Sequence, residues 1–279
     1  MSDWQITGIN TGDFLLDGGA MFGIIPKPLW EKAYPADVQN RIRMRTHCML
    51  LQGFGKNVII ETGNGDGFSD KERAFYGMST YVSWRQLLKP HGLTPEQITD
   101  VILTHLHFDH AGGLSHKLAD GTLALTFPNA IHYVQREQKE WALKPSERDA
   151  GSYRKEGLHP FISDAAKVHY LDGNVEILPG ISAQTIHGHS PAQQLIHIKS
   201  QTRHLVFVAD LTPTSAHLHL PWIMGYDLWP LKTLQEKKDF LAHAVQDKWQ
   251  LWLYHDAHHP CVTVKYDGKR YQMDKEINF

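Results

Sequence analysis

The sequence predicts an α/β fold: an αββα sandwich of two packed mixed sheets with helices on the outer faces, as one domain over residues 1–279. Three observations carry this expectation. Short apolar runs rich in Val, Ile and aromatic residues recur in both halves of the chain, as buried strands do. Amphipathic helical patterns are interspersed among them. The hydrophobic set is 42% of 279 residues, enough for a sizeable core, and no repeat or Ser/Gly-rich linker divides the chain.

In chain order, the strand patterns are "HCMLLQGF" (47–54), "NVIIET" (57–62), "DVILT" (100–104), "AIHYV" (130–134), "QLIHIKS" (194–200), "HLVFVAD" (204–210), "WQLWLYH" (249–255) and "CVTVKY" (261–266). Gly, Asn, Asp or Pro bound them. "GKN" (55–57) and "SQTR" (200–203) have the composition of hairpin turns. Helical patterns cover 79–92, 134–143 and 231–246. The last aligns Leu234, Phe240, Leu241, Ala244 and Val245 near one face, with Lys and Glu expected opposite.

Composition excludes several functions. Twenty-eight basic and thirty acidic residues give a net charge of -2 with histidine neutral, which leaves no basic footprint for nucleic acid and no reason to expect an anionic membrane partner. Cys48 and Cys261 form no CxxC and no disulfide framework, which suits free thiols in a reducing compartment. The N-terminus "MSDWQITGIN" carries no basic-plus-apolar signal, and no run approaches the roughly 18 apolar residues of a membrane span. The expectation is a cytoplasmic protein. The unusual count is nineteen histidines.

Four residues of metal-ligating type fall in the stretch "THLHFDH" (104–110): His105, His107, Asp109 and His110. Residues 105 and 107 leave the same side of an extended chain, whereas 107 and 110 suit a first helical turn. The segment is therefore expected to be a strand-to-helix corner after "DVILT", with "AGG" (111–113) allowing a tight turn. Loops at the carboxyl ends of strands are where α/β sheets place their chemistry. Neutral imidazoles with a carboxylate are a ligand set for zinc and similar divalent ions.

The complete HxHxDH match resembles the metallo-β-lactamase superfamily of metallohydrolases. The resemblance implies three further ligands in chain order: His189 in "HGHSP", a bridging Asp210 ending "HLVFVAD", and His255 in "LWLYHD". His258 and His259 stand close enough in the chain to be alternatives for the last of these. Within the superfamily, "FLLDGGAMFGIIPKPLW" (14–30) and "ADLTPTSAH" (209–217) resemble the lactonases that open acyl-homoserine lactones, particularly the YtnP-like branch. The implied activity is binuclear metal-dependent hydrolysis of a lactone or ester, as in quorum quenching. The alternative is a phosphotriesterase or arylesterase of the methyl parathion hydrolase type, then a thioesterase or a non-catalytic metal-binding protein.

In that reading His105, His107 and His189 hold one ion, Asp109, His110 and His255 the other, and Asp210 bridges them. Two divalent ions, zinc foremost with iron, manganese or cobalt compatible, bring the pKa of a shared water toward roughly 7. The resulting hydroxide attacks the substrate carbonyl, with Asp109 accepting or relaying the proton. The partner is a small-molecule ester or lactone, with no nucleic acid or membrane, and a homodimer is compatible.

The chain also departs from the family pattern. Glu61 stands where many members carry Asp, in "ETG", and can still orient an imaidazole-type ligand from behind. Ala192 and Gln193 follow "HSP" where Gly and His are common. Pro213 occupies the place of the tyrosine that better-known lactonases use as an electrophile, and Tyr226 is the candidate replacement. Met21, Phe22, Ile24, Trp222, Ile223 and Met224 are candidate walls for an acyl chain. His217 and His219 alternate in "AHLHLP" and are expected at the surface; His187, His197 and His204 are expected to be structural.

Overall fold

The computed structural model describes residues 3–163 and 166–278. The chain divides into two compact units, one formed by the residues up to Gly12 with Thr46–Gly173, the other by Asp13–Arg45 with Asn174–Asn278. It passes from one to the other within two 13-residue strands, β1 (Gln5–Asp17) and β2 (Arg41–Gly53).

In the first unit these strands are followed by β3 (Lys56–Ile60), β4 (Asp100–Ile102), a separate small hairpin β5 (Ser115–Lys117) and β6 (Leu123–Leu125), β7 (Ile131–Gln135) and β8 (Lys167–Leu171). The sheet order is β1-β2-β3-β4-β7-β8. β2 and β3 are antiparallel and joined through Phe54 and Gly55, both at positive φ, so "GKN" marks the second half of a two-residue hairpin turn. From β3 to β8 the strands are parallel. Val58, Ile59, Ile60, Val101 and Ile102 are fully buried, as parallel strands covered on both faces require. Asp100 is buried among them, and its carboxylate accepts from Lys56 Nζ at 2.8 and 3.1 Å and from Tyr133 Oη at 3.0 Å.

The second unit holds a sheet ordered β15-β14-β13-β12-β11-β10-β9. Its strands are β9 (Val175–Leu178), β10 (Ile181–Ile186), β11 (Gln193–Lys199), β12 (His204–Phe207), β13 (Gln250–Trp252), β14 (Cys261–Tyr266) and β15 (Tyr271–Glu276). β12 and β13 are parallel, and the helix Pro230–Gln246 makes the crossover between them. Phe240, Leu241 and Ala244 of that helix pack with Ile186, Leu195, Val206, Val208, Leu251 and Leu253. The expected stripe needs one correction: Lys237, assigned to the solvent side, lies on the buried face with Thr233 and Phe240.

All eight sequence-predicted strands form, while β1, β5, β6, β8, β9, β10 and β15 are too short or too rich in polar residues to show a strand pattern. The helix expected over 79–92 shortens to Trp84–Leu88, because Ser83 and Gln86 form a capping box that starts it there. Among the described residues no helix is long and apolar enough to cross a membrane.

Candidate metal sites

In the first unit the candidate ligands sit at the carboxyl end of β4, as expected. His105 and His107 belong to the connection after the strand, while Asp109 and His110 lie in the short helix Phe108–Ala111. His105 Nε2 and His107 Nδ1 converge to 3.1 Å, with both residues buried. His105 Nδ1 is 2.9 Å from Thr104 Oγ1. The rings of His105 and His110 are 4.0 Å apart. Asp109 Oδ1 lies 3.9 Å from His110 Nε2.

Glu61, at the end of β3, organises this corner with both of its oxygens. Oε1 accepts the Thr104 N–H at 2.6 Å, and Oε2 lies 3.5 Å from His110 Nδ1. Glu61 itself has φ +64°, a left-handed backbone conformation uncommon for a residue with a side chain. The neighbouring Thr62 donates from both N and Oγ1 to the His110 carbonyl, at 2.8 and 2.9 Å.

The role expected of "AGG" changes. Gly112 has φ -60° and needs no left-handed turn. Glycine is required by close approach instead, because a Cβ on Gly112 would lie 2.2 Å from the Asn64 carbonyl oxygen and one on Gly113 2.2 Å from that of Thr62. The two glycines let the helix carrying Asp109 and His110 press onto the segment carrying Glu61.

The second unit presents His189, Asp210 and His255, all buried. Asp210 follows β12 in a tight turn whose first residue, Ala209, has φ +44°. Its Oδ2 is 3.3 Å from His189 Nε2 and its Oδ1 3.4 Å from His255 Nε2. The far nitrogen of each imidazole is held by an acceptor. His189 Nδ1 donates to Asp227 Oδ1 at 2.7 Å, and His255 Nδ1 donates to the Arg45 carbonyl at 3.0 Å. The tautomers that follow turn the Nε2 lone pair of each ring toward the carboxylate.

The donor chemistry fits metal ions. A tetrahedral ion with bonds of about 2.0–2.1 Å holds neighbouring donors roughly 3.3 Å apart. The His105–His107, His189–Asp210 and His255–Asp210 separations of 3.1, 3.3 and 3.4 Å match that spacing.

Other candidates are placed differently. Tyr226 is 37% exposed, one residue before Asp227, which is the residue that reaches His189. Asp227 was not singled out from the sequence, and a lone Asp in "MGYDLWP" carries no signal for that role. Pro213 contributes its carbonyl, which accepts the His255 N–H at 3.1 Å. His258 is exposed and His259 Nδ1 lies 3.1 Å from Glu276 Oε2, so neither shares the setting of His255.

His217 corrects the surface expectation. It is buried in a 3₁₀ turn, Ser215–Leu218, 2.7 Å from Thr214 Oγ1 and 2.8 Å from the Met21 carbonyl oxygen, and stacks on Phe22 with ring centroids 4.8 Å apart. His197 and His204 pair at 2.9 Å between ring nitrogens. Met21, Phe22 and Met224 are buried and Ile24 is almost wholly exposed, so these four do not form one continuous wall.

Residues 41–253 match the metallo-β-lactamase superfamily, and the chain belongs to that superfamily, with its α/β fold of mixed sheets and helices. It is related to N-acyl homoserine lactonases. The N-acyl homoserine lactonase of Bacillus cereus is 27% identical over 179 residues, which are 61% of this chain; the chain spans 64% of that enzyme's length. A probable metal-dependent hydrolase from Staphylococcus aureus is 33% identical, with a TM-score of 0.88 over 99% of both chains. AidC, a dizinc quorum-quenching lactonase solved with N-hexanoyl-L-homoserine as product, shares the fold at 20% identity, with a TM-score of 0.80 over 99% of this chain and 95% of that one.

Proposed function

We propose that the chain, as one domain, is a binuclear lactonase that hydrolyses N-acyl-homoserine-lactone-type esters, acting in quorum quenching from the cytoplasm. The observation that carries this reading is the Asp210 carboxylate, which turns one oxygen to His189 and the other to His255 at metal-donor spacing. His105, His107 and His189 are assigned to one ion, Asp109, His110 and His255 to the other, and Asp210 to both. Relatedness to N-acyl homoserine lactonases supports the substrate class.

When bound, two divalent cations, zinc in this reading, acidify a water and polarise the ester carbonyl. The side chains of the chain supply the rest. Asp109 accepts one proton of the attacking water and returns it to the ring oxygen as the acyl C–O bond breaks, leaving a hydroxyl and a carboxylic acid whose remaining proton passes to solvent. Asp227 and the Arg45 carbonyl hold the imidazoles of His189 and His255 in the ligating tautomer. Tyr226 is assigned as the phenolic donor to the carbonyl oxygen, in the place that Pro213 cannot serve.

The test joins metal content with a rate panel of lactones, thioesters, aryl phosphotriesters and a β-lactam. About two divalent ions per chain and fastest turnover of acyl-homoserine lactones are expected. Undiminished hydrolysis by metal-free protein would overturn the mechanism, and faster turnover of a phosphotriester would move the assignment to that substrate class.

A further inference from the structure

Lysine is out of place on the buried face of the helix Pro230–Gln246. Lys237 is 1% exposed, between Thr233 and Phe240. Its ammonium donates to three main-chain carbonyls, those of His219 at 2.7 Å, Trp222 at 2.7 Å and Leu220 at 3.3 Å. An ammonium has three N–H donors and no acceptor, so the count is complete. Burial pushes its pKa down to about 7, with Asp227 opposing the shift, and the carbonyls are the groups that solvate the remaining charge. An aliphatic residue would fill such a position at lower cost, so the charge calls for another account.

The segment held by Lys237 leads directly to Asp227. Between them Gly225 N donates to the Ala20 carbonyl at 2.7 Å. Beyond it Leu228 N donates to the His189 carbonyl at 3.2 Å and Trp229 N to that of Gly188 at 2.9 Å. The same helix grips the other side of the His189 corner. Glu236 accepts the N–H groups of His187 and Gly188 at 2.8 and 2.9 Å, and a Cβ on Gly188 would lie 2.3 Å from Thr233 Oγ1. Adjacent residues of one helix therefore brace two segments: Glu236 the one that carries His189, and Lys237 the one that carries the acceptor of His189 Nδ1.

We propose that Lys237 is a positioning residue for His189, acting by holding residues 219–222 so that Asp227 meets Nδ1 of the imidazole. This rests on the reading of His189 as a metal ligand. Without the ammonium, three main-chain carbonyls lose their donor, the segment moves off the helix, and Asp227 no longer holds the ring.

The test uses the metal-loaded protein and a competing chelator. Lys237→Met keeps the length of the side chain and removes the charge; its metal affinity should fall about tenfold, within the range known for partners of ligating histidines. The discriminating readout is coupling. Asp227→Asn alone should weaken binding, and Lys237→Met added to it should cost little more, because both act on the same imidazole. Leu241→Ala, a core change in the same helix, should lower Tm while leaving metal affinity unchanged. Lys237→Gln gives the same comparison if the methionine variant does not fold. Full metal affinity in the Lys237 variants, or effects that add to those of Asp227→Asn, would overturn the proposal. Unchanged metal content in His189→Ala would instead overturn the ligand assignment beneath it.

Discussion

The two oxygens of the Asp210 carboxylate face two different imidazoles, His189 Nε2 at 3.3 Å and His255 Nε2 at 3.4 Å. Both rings have their other nitrogen committed to an acceptor, so neither can donate to Asp210 as a neutral imidazole. A divalent cation placed among these groups would be attracted by the carboxylate and by both ring lone pairs.

Asp210→Asn tests this arrangement. The amide keeps the size but replaces one acceptor oxygen with an NH₂ group and removes a negative charge. The expected outcome is loss of about one ion per chain and a fall in kcat/KM of roughly a hundredfold or more, with the circular dichroism spectrum unchanged. Metal analysis and lactone kinetics on one preparation check it. Full metal content with full activity would show that Asp210 is not a ligand.

Glu61 performs two tasks that two substitutions separate. Glu61→Gln keeps an oxygen for the Thr104 N–H but presents an NH₂ group to His110 Nδ1. Metal affinity should fall roughly 10–100-fold, with stability changed by less than about 1 kcal/mol. Glu61→Ala also leaves the buried Thr104 N–H without its acceptor and should cost a further 1–3 kcal/mol or so. Chelator competition and urea denaturation read the two effects. Equal stability of the two variants would show that the Thr104 hydrogen bond carries no weight.

Acid lability has an identifiable contributor in His217, whose pKa burial pushes down from 6.5 to about 3. Between those values the unfolded chain binds the proton and the folded chain does not. Stability from this group is therefore complete above pH 6.5 and is lost as pH falls toward 3, at about 1.4 kcal/mol per pH unit. Glutamine at 217 cannot titrate and can still donate to the Met21 carbonyl. The wild-type advantage over His217→Gln in denaturation experiments should therefore shrink as pH drops from 6.5 to 4. A constant difference across that window would exclude His217 as the source.

Tyr226 is 37% exposed, and its replacement by phenylalanine should leave stability within about 0.5 kcal/mol. As the proposed donor to the developing oxyanion, it should contribute to kcat rather than to KM. Tyr226→Phe is expected to lower kcat roughly a hundredfold on lactones, in keeping with the loss of one oxyanion donor. An unchanged kcat would return Tyr226 to the surface and leave the electrophile to another group.

What the sequence by itself determined is the set of candidate donors and the elements that carry them. Strand β4, the "HLHFDH" corner and the order of His189, Asp210 and His255 along the chain are local patterns, written in residue types with few other uses at that spacing. Tertiary structure alone decided what stands behind those donors. Asp227 reaches His189 across 38 residues and the Arg45 carbonyl reaches His255 across 210, and neither residue type is distinctive where it stands. Burial of Lys237 and His217 was likewise illegible, because helical period and alternation report apolar faces and are silent about a polar group whose partners come from another segment. Gly112 and Gly113 show the same limit: the sequence offers a flexible pair, and only the packed backbone of residues 62–64 shows that the missing side chains matter for contact rather than for φ.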